Sequence, residues 1–428
     1  MESTHQPPSD TIAAPVAQSA RLISLDVIRG VALLGILIMN IQVFSMIFSA
    51  YENPYAFGDM TGLNYWARWF SEVFADQKFL TIFSMLFGAS IMLMAEKSMQ
   101  KGQGPYNLHY KRMLWLAVFG AMHAFLLWAG DILLFYAITG VFAVLFYKWR
   151  ARNLIITGII FMVIFSLLML LIGMSKGEMT AEDIAGITKF WTPTDERIAE
   201  ILAAHRSDWF GQWEVRVTAY LKIASGLPIM IFRFLGAMLI GMGLYKAGLL
   251  DASRSKTFYI RHGLVSLVIG YGLTLFGMQQ IAANNNEAFY AMFFGSQYGY
   301  YGSFILAWGY ICLLQFFVVS HQSKAGSAEG SSSANGSESF LVKYFAPVGQ
   351  MALSNYIFQS LVCGTIFYGW GFGFYGSVER APQLGIVVGV WIAQIILSRW
   401  WLSRYRFGPL EWLWRSLTYM QKQPMAKS

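Results

Sequence analysis

The sequence predicts an all-α, polytopic membrane helix bundle of about ten transmembrane helices with both termini cytoplasmic, and three observations carry that expectation. Of 428 residues, 56% are hydrophobic and only 13% are charged, about half the charged share of a soluble domain. The apolar runs have the ~20-residue length that crosses hydrocarbon as a helix. The short loops alternate between basic and Lys/Arg-poor, the pattern that fixes orientation in a bilayer.

Taken in order, residues 1–20 are polar and free of Lys and Arg. They lack the basic start of a signal peptide and read as a disordered N-terminal tail. Spans follow at 28–49, 79–95, 112–129, 132–149, 153–174, 226–249, 260–280, 302–320, 347–369 and 383–402. Loops 96–112, 148–152 and 246–261 and the tail after Arg399 are basic and belong in the cytoplasm. Loop 50–78, with Glu52, Asp59, Glu72 and Asp76, the turn at Asp131 and loop 281–301 face outward. The resulting organisation is a five-span region (21–175), an extracytoplasmic interfacial segment (176–225), spans six to eight (226–321), a Gly/Ser-rich cytoplasmic linker (322–340) and a final two-span unit with a C-terminal interfacial helix (341–428).

Aromatic residues Trp191, Trp209, Phe210 and Trp213 suit the 176–225 segment to anchoring on the membrane face or to covering a cavity. Tyr368 to Gly376 reads as an aromatic-belt turn, and Pro409 starts a short interfacial helix. Ala237, Gly241 and Gly243 permit close helix packing. The triplet at Asn335 matches a glycosylation signal by chance, since its loop is cytoplasmic.

Several function classes fall away. Cys312 and Cys363 both lie in apolar runs, which suggests neither a disulfide framework nor a thiolate site. The six histidines lack metal-ligand spacing, so no metal is expected. The formal charge of +8 sits in short loops and reports orientation, with no nucleic-acid partner implied.

Ionisable and amide groups at membrane depth remain, and these are costly unless paired or used. Asn40, His123 and Asn355 each lie about ten residues from the cytoplasmic end of a span, near mid-membrane at ~1.5 Å rise per residue. At one depth they can line a single cavity; equally, each can be an interhelical hydrogen bond. Asp131 stands where an N-cap of the fourth span belongs, and can alternatively orient His123. Arg233, inside the sixth span, needs a counter-charge such as Asp131 or Glu214, or a snorkelling route. Asp26 and Arg29 share a helix face; Arg29, with Arg112, Arg150 and Arg152, forms a set able to hold phosphates at the cytoplasmic face. Asn355 and Gln359, four apart, present amides on one face of the ninth span.

These residues carry a resemblance. The segment Arg21 to Gly30 with Asn40, the blocks Phe79 to Ala89 and Gly349 to Ser360, the run Gly120–His123–Trp128–Gly130–Asp131 and the block Gly408 to Arg415 resemble the YeiB-like bacterial membrane family, whose late region is a domain of unknown function. More distantly, Ser24, Asp26, Arg29, Gly30 and Asn40 resemble heparan-α-glucosaminide N-acetyltransferase and the transmembrane acyltransferase group. The first likeness implies a bacterial cytoplasmic (inner) membrane protein, and the second the use of acyl-CoA or acetyl-CoA as donor. The second carries over Asp26, Arg29 and Asn40. No histidine stands between Asn40 and His109, so a catalytic role for His123 rests on its own position.

The expectation is acyl transfer across the bilayer to a small-molecule or glycan acceptor. His123 would be the general base or acyl carrier, Asn40 and Asn355 oxyanion donors, and Asp131 the orienting carboxylate. Arg29, Arg112, Arg150 and Arg152 would hold the CoA phosphates, and Asp26, Gln359 and Arg233 would contact substrate. The rival reading is a small-molecule or lipid transporter with the same polar cluster as its site. Membrane lipid is an expected partner in both; the sequence leaves a homo-oligomer open.

Overall fold

The computed structural model describes residues 23–327 and 339–427. The expected N-terminal tail (1–20) and the Asn335 triplet lie outside the described residues. The chain forms α1 (Ile23–Ser45), α2 (Phe48–Glu52), α3 (Gly62–Phe70), α4 (Lys78–Gln100), α5 (Tyr106–Met122) and α6 (Leu133–Ala143). Then come α7 (Ala151–Met174), α8 (Ala181–Trp191), α9 (Asp195–His205), α10 (Trp213–Ser225), α11 (Leu227–Lys246) and α12 (Lys256–Ala283). The rest is α13 (Ser296–Ser327), α14 (Phe340–Gln350), α15 (Ala352–Phe367), α16 (Arg380–Arg404) and α17 (Pro409–Tyr419). Apart from helix, the described residues contain one isolated bridge, Tyr405 to Ala426. Helix α13 runs to Ser327, so residues 322–327 of the expected linker are helical, and 328–338 lie outside the described residues.

Seven helical segments among the described residues are long and apolar enough to cross a membrane: Ile23–Ser45, Gly62–Gln100, Ala151–Glu178, Leu227–Lys246, Lys256–Ala283, Tyr290–Ser320 and Arg380–Arg404. Outward-facing apolar side chains such as Leu167 and Val268, 52% and 74% exposed, are what a lipid-facing surface requires. Three of the expected spans take another form. Helices α6 and α15 have 11 and 16 residues, short of the ~20 that cross hydrocarbon unaided, and α5 has 17 in regular α-helix before it runs on as a π-turn to Leu127.

Helix α1 is the centre of the bundle, with Val27, Leu33 and Leu37 fully buried and α4, α14, α15 and α16 against it. The final two-span unit is thus packed into the body. Two glycines make this possible: a Cβ at Gly30 would overlap the Phe345 carbonyl, and one at Gly349 the Asp26 carbonyl. Gly88 and Gly241 play the same part where α4 crosses α11, each facing a backbone carbonyl of the other helix, close contact that only small residues permit. One end of the bundle gathers the basic loops, where Lys246 Nζ donates to the carbonyls of Tyr147 and Trp149 at 2.7 and 2.8 Å. At the opposite end the 176–225 segment docks on the loops after α1 and α15, through Asn53 Nδ2 to the Trp191 carbonyl (2.8 Å) and Gly369 N–H to the His205 carbonyl (3.0 Å).

Candidate functional site

At His123, α5 widens into a π-turn (His123–Leu127), and Trp128 is extended at φ −154°, ψ 125°. Trp128 stacks on Phe44 at 4.0 Å, which pins the reversal before α6 begins. Asp131 comes back beside the histidine. Its Oδ2 accepts from the Leu134 N–H at 2.8 Å, in the first turn of α6, and its Oδ1 lies 2.8 Å from His123 Nδ1. Capping and orienting, set out as alternatives for Asp131, are both present, one on each carboxylate oxygen.

The other imidazole nitrogen, Nε2, lies 2.8 Å from Ser360 Oγ on α15. With Asp131 accepting at Nδ1, the consistent tautomer carries its proton there and leaves Nε2 to accept the serine O–H. His123, Asp131 and Ser360 are all buried, at 1%, 2% and 3% exposure. This is the connectivity of a Ser-His-Asp relay. Sequence reasoning passed over Ser360; its signal was its place at the end of the Gly349 to Ser360 block, next to Gln359.

Asn355 and Gln359 face elsewhere. Asn355 Nδ2 donates to the Val348 carbonyl (3.2 Å) and to Ser398 Oγ (2.9 Å). Gln359 Nε2 donates to the Leu33 carbonyl (3.3 Å) and to Gln394 Oε1 (3.1 Å). Gln394 Nε2 in turn donates to the Asn355 carbonyl at 2.9 Å. These amides tie α15 to α1 and α16. Both amide N–H groups of Asn355 are occupied, leaving none for an oxyanion. Asn40 is half-buried and makes no hydrogen bond to His123 or Asn355 among the described residues. The single polar cavity of Asn40, His123 and Asn355 is therefore not formed. Successive helical residues point about 100° apart, so Ser360 turns toward α5 while Gln359 turns toward α16.

Beside the relay, a cavity of about 240 Å³ opens at the basic end between α1, α4, α5, α15 and α17. Arg29, Arg112 and Arg415 stand at its mouth with Asp26 and Glu411, and Leu33, Phe83, Phe87, Leu116 and Leu133 make its interior apolar. Tyr356 lines the inner end, and its ring lies 4.9 Å from that of His123. Arg29 donates to Asp26 Oδ1 (2.8 Å) and Ser90 Oγ (3.3 Å), so the local ion pair expected of Asp26 and Arg29 exists. Arg112 packs over Trp414 at 4.5 Å and faces no carboxylate partner among the described residues.

Arg150 and Arg152 do not reach this cavity. Both are exposed where α7 begins, in a loop held under α11 by Lys246, so Arg415 takes the place expected for them. Arg233 pairs with neither Asp131 nor Glu214. Its guanidinium lies 5.4 Å from the Tyr300 ring and 6.0 Å from that of Phe165, while Asp131 is already engaged by His123 and Leu134.

Helix α17 completes the mouth. Met351 breaks α14 from α15 and supplies no side-chain cap. Glu411 does so from α17, accepting from the N–H groups of Leu353 (2.6 Å) and Ser354 (3.0 Å) and from Ser354 Oγ (2.6 Å). Burial holds its carboxyl above the usual carboxylate range even with these donors.

The lipid-facing helices and the buried relay beside an open-mouthed cavity define an all-helical integral membrane protein. Residues 244–421 match the family described as "Protein of unknown function (DUF418)", a stretch that includes Ser360 but not His123 or Asp131. The whole chain is 30% identical to "Uncharacterized protein YeiB" of Escherichia coli (strain K12), over 94% of this chain and 98% of that protein. It is 28% identical to "Uncharacterized protein YxaH" of Bacillus subtilis (strain 168), over 96% and 98%. The chain belongs to the YeiB-like family. No solved structure matches it.

Proposed function

We propose that this protein is a multi-pass acyltransferase of the bacterial inner membrane, taking an acyl group from cytosolic acyl-CoA and passing it to an extracytoplasmic hydroxyl or amine on a sugar or lipid. One observation carries the reading: a Ser360–His123–Asp131 relay with both links at 2.8 Å, behind an apolar cavity with three arginines at its mouth. The reading includes ten spans, α5, α6 and α15 among them, with both termini cytoplasmic. The basic loops at the cavity's end support that orientation.

An acyl chain and pantetheine arm suit a narrow apolar cavity, and guanidinium groups at its mouth suit phosphates. Ser360 Oγ attacks the thioester carbon as its proton passes to His123 Nε2. The C–S bond breaks, and the proton leaves with the thiolate as free CoA. The acceptor then gives its proton to His123, its oxygen or nitrogen bonds to the acyl carbon, and Ser360 Oγ departs with that proton. Asp131 holds the imidazole in the competent tautomer throughout. Tyr356 stands between cavity and relay, so donor access requires its ring to move.

The test uses purified protein, a series of acyl-CoA chain lengths and intact-mass detection. A mass increase of one acyl group, absent in Ser360→Ala and His123→Asn, is the expected result. Absence of acyl-protein, of saturable acyl-CoA binding and of acyl transfer would overturn the reading. The α14–α15 break at Met351, a discontinuous helix of the kind that builds transport sites, favours a second reading, a small-molecule or lipid transporter. Substrate flux in proteoliposomes that survives Ser360→Ala would select it.

A further inference from the structure

A second cavity, of about 650 Å³, lies at the end of the bundle opposite the basic loops. It is walled by α2, α3, the start of α4, and the facing ends of α8, α12 and α13. The acyl-transfer reading does not use it.

Its two cations are built in, whereas Glu72 and Asp76 are half-buried and Glu52 is exposed to the cavity. Arg68 is 8% exposed and Lys78 2%. Arg68 pairs with Glu72 at 3.2 Å and donates to Gln42 Oε1 at 3.2 Å. Lys78 Nζ donates to the Glu72 carbonyl at 2.5 Å, and the Tyr51 hydroxyl bonds to Asp76. A π-turn at Ser71–Ala75 and Gln77 at φ 60° place these side chains. A left-handed residue other than glycine and a π-turn in one short stretch are both departures that concentrate at functional sites.

Three groups in this wall are unspent. Arg68 Nε and Gln77 Oε1 are buried without a hydrogen-bond partner. The Glu52 carboxyl, which opens into the cavity, makes no hydrogen bond among the described residues. Glu72 and Asp76 match Arg68 and Lys78 in number, which leaves the Glu52 carboxyl as a third acidic group without a cation of its own in the wall. Tyr51, Trp69 and Trp191 add aromatic faces, surfaces to which organic cations are attracted. A cation here would relieve the repulsion of Glu52 by Asp76 and Glu72.

We propose that this cavity binds an organic ammonium group, with Glu52 as its counter-charge and the aromatic wall covering the attached carbon skeleton. The group can arrive on a free amine or on an aminophospholipid headgroup. The proposal does not depend on acyl transfer.

The probe is tyramine, with tyrosol as its neutral counterpart in which a hydroxyl replaces the ammonium. Purified protein in phosphatidylglycerol nanodiscs is titrated with each. Tyramine should bind saturably and at least tenfold more tightly than tyrosol. Glu52→Gln should remove that preference, and Ser360→Ala should keep it, which separates this test from that of the acyl relay. Phe48→Ala, which alters the wall without touching its charges, should weaken both probes alike. In nanodiscs that also contain phosphatidylethanolamine, lowered tyramine affinity supports a headgroup as the resident ligand, and unchanged affinity supports a free amine. Equal binding of the two probes, no saturable binding of either, or a preference that survives Glu52→Gln overturns the proposal.

Discussion

Asp131 Oδ1 lies 2.8 Å from His123 Nδ1, although the two flank a π-turn and an extended tryptophan. The contact exists because α5 does not continue as regular helix past Met122. Eight residues of uninterrupted α-helix would separate the two by about 12 Å along its axis.

Substitutions at Asp131 should separate its two duties. Asp131→Asn keeps an oxygen for the Leu134 N–H but permits the wrong histidine tautomer, so acyl transfer should fall by about 10⁴-fold with little change in melting temperature. Asp131→Ala should lose activity and a further ~1 kcal/mol of stability with the cap. Paired melting and turnover measurements decide; equal activity of Asp131→Asn and wild type would remove the relay.

Charge reversal at the cavity mouth tests the proposed acyl-CoA site. Arg112→Glu should weaken acyl-CoA binding by tenfold or more, whereas Arg150→Glu with Arg152→Glu should leave it within about twofold, the screened effect of distant surface charge. Isothermal titration with a non-hydrolysable acyl-CoA provides the comparison. The reverse ranking would place the donor at the α7 loop.

The α1–α14 crossing depends on the absence of side chains. Gly349→Val should destabilise the protein by about 1–3 kcal/mol or more through overpacking, and Gly385→Val, on a face of α16 where a Cβ meets nothing within 4 Å, should not. Thermal unfolding in a single detergent measures both. Equal melting temperatures would mean that the C-terminal unit is not packed on α1 as described.

Glu52 gives a pH signature outside the spans. Desolvation by the enclosing cavity wall, then repulsion by Asp76, raise its carboxyl from 4.5 to about 7, and Arg68 and Arg233 offset only part of this. Between those values the folded state holds a proton that the unfolded state has released, so stability falls as pH rises through this window. Glu52→Gln should therefore flatten the decline in melting temperature between pH 5 and 8 and be relatively more stable at pH 8. An unchanged slope would show that Glu52 does not titrate there.

Orientation can be read by labelling. Cysteines at Ser253 and Glu196, both exposed, lie at opposite ends of the bundle, and native Cys312 and Cys363 are buried. An impermeant thiol reagent on intact cells should modify Glu196→Cys and spare Ser253→Cys. The opposite pattern inverts the proposed topology.

Composition and the spacing of apolar runs were enough to determine an all-helical membrane protein, because hydrocarbon admits few other backbones and sets a length that shows in any window of sequence. The same cost of polar groups at depth drew attention to His123, Asp131, Asn355 and Gln359. What each of them touches was decided only by tertiary structure. A π-turn has no hydropathy signature, so the sequence offered the approach of Asp131 to His123 only as an alternative to capping, and the backbone path that makes it was not legible. Nor was the serine: Ser360 sits one position past Gln359, and the rotation of about 100° between neighbours on a helix sends one to the relay and the other to α16. Arg150 and Arg152 share charge and loop type with Arg112, and only the packing of α17 on α5 and α15 distinguishes the arginine that lines the cavity from the two that face solvent. Local patterns record which groups are costly to bury; the pairing that makes burial tolerable is a property of chain segments hundreds of residues apart, such as His123 and Ser360, |i−j| = 237.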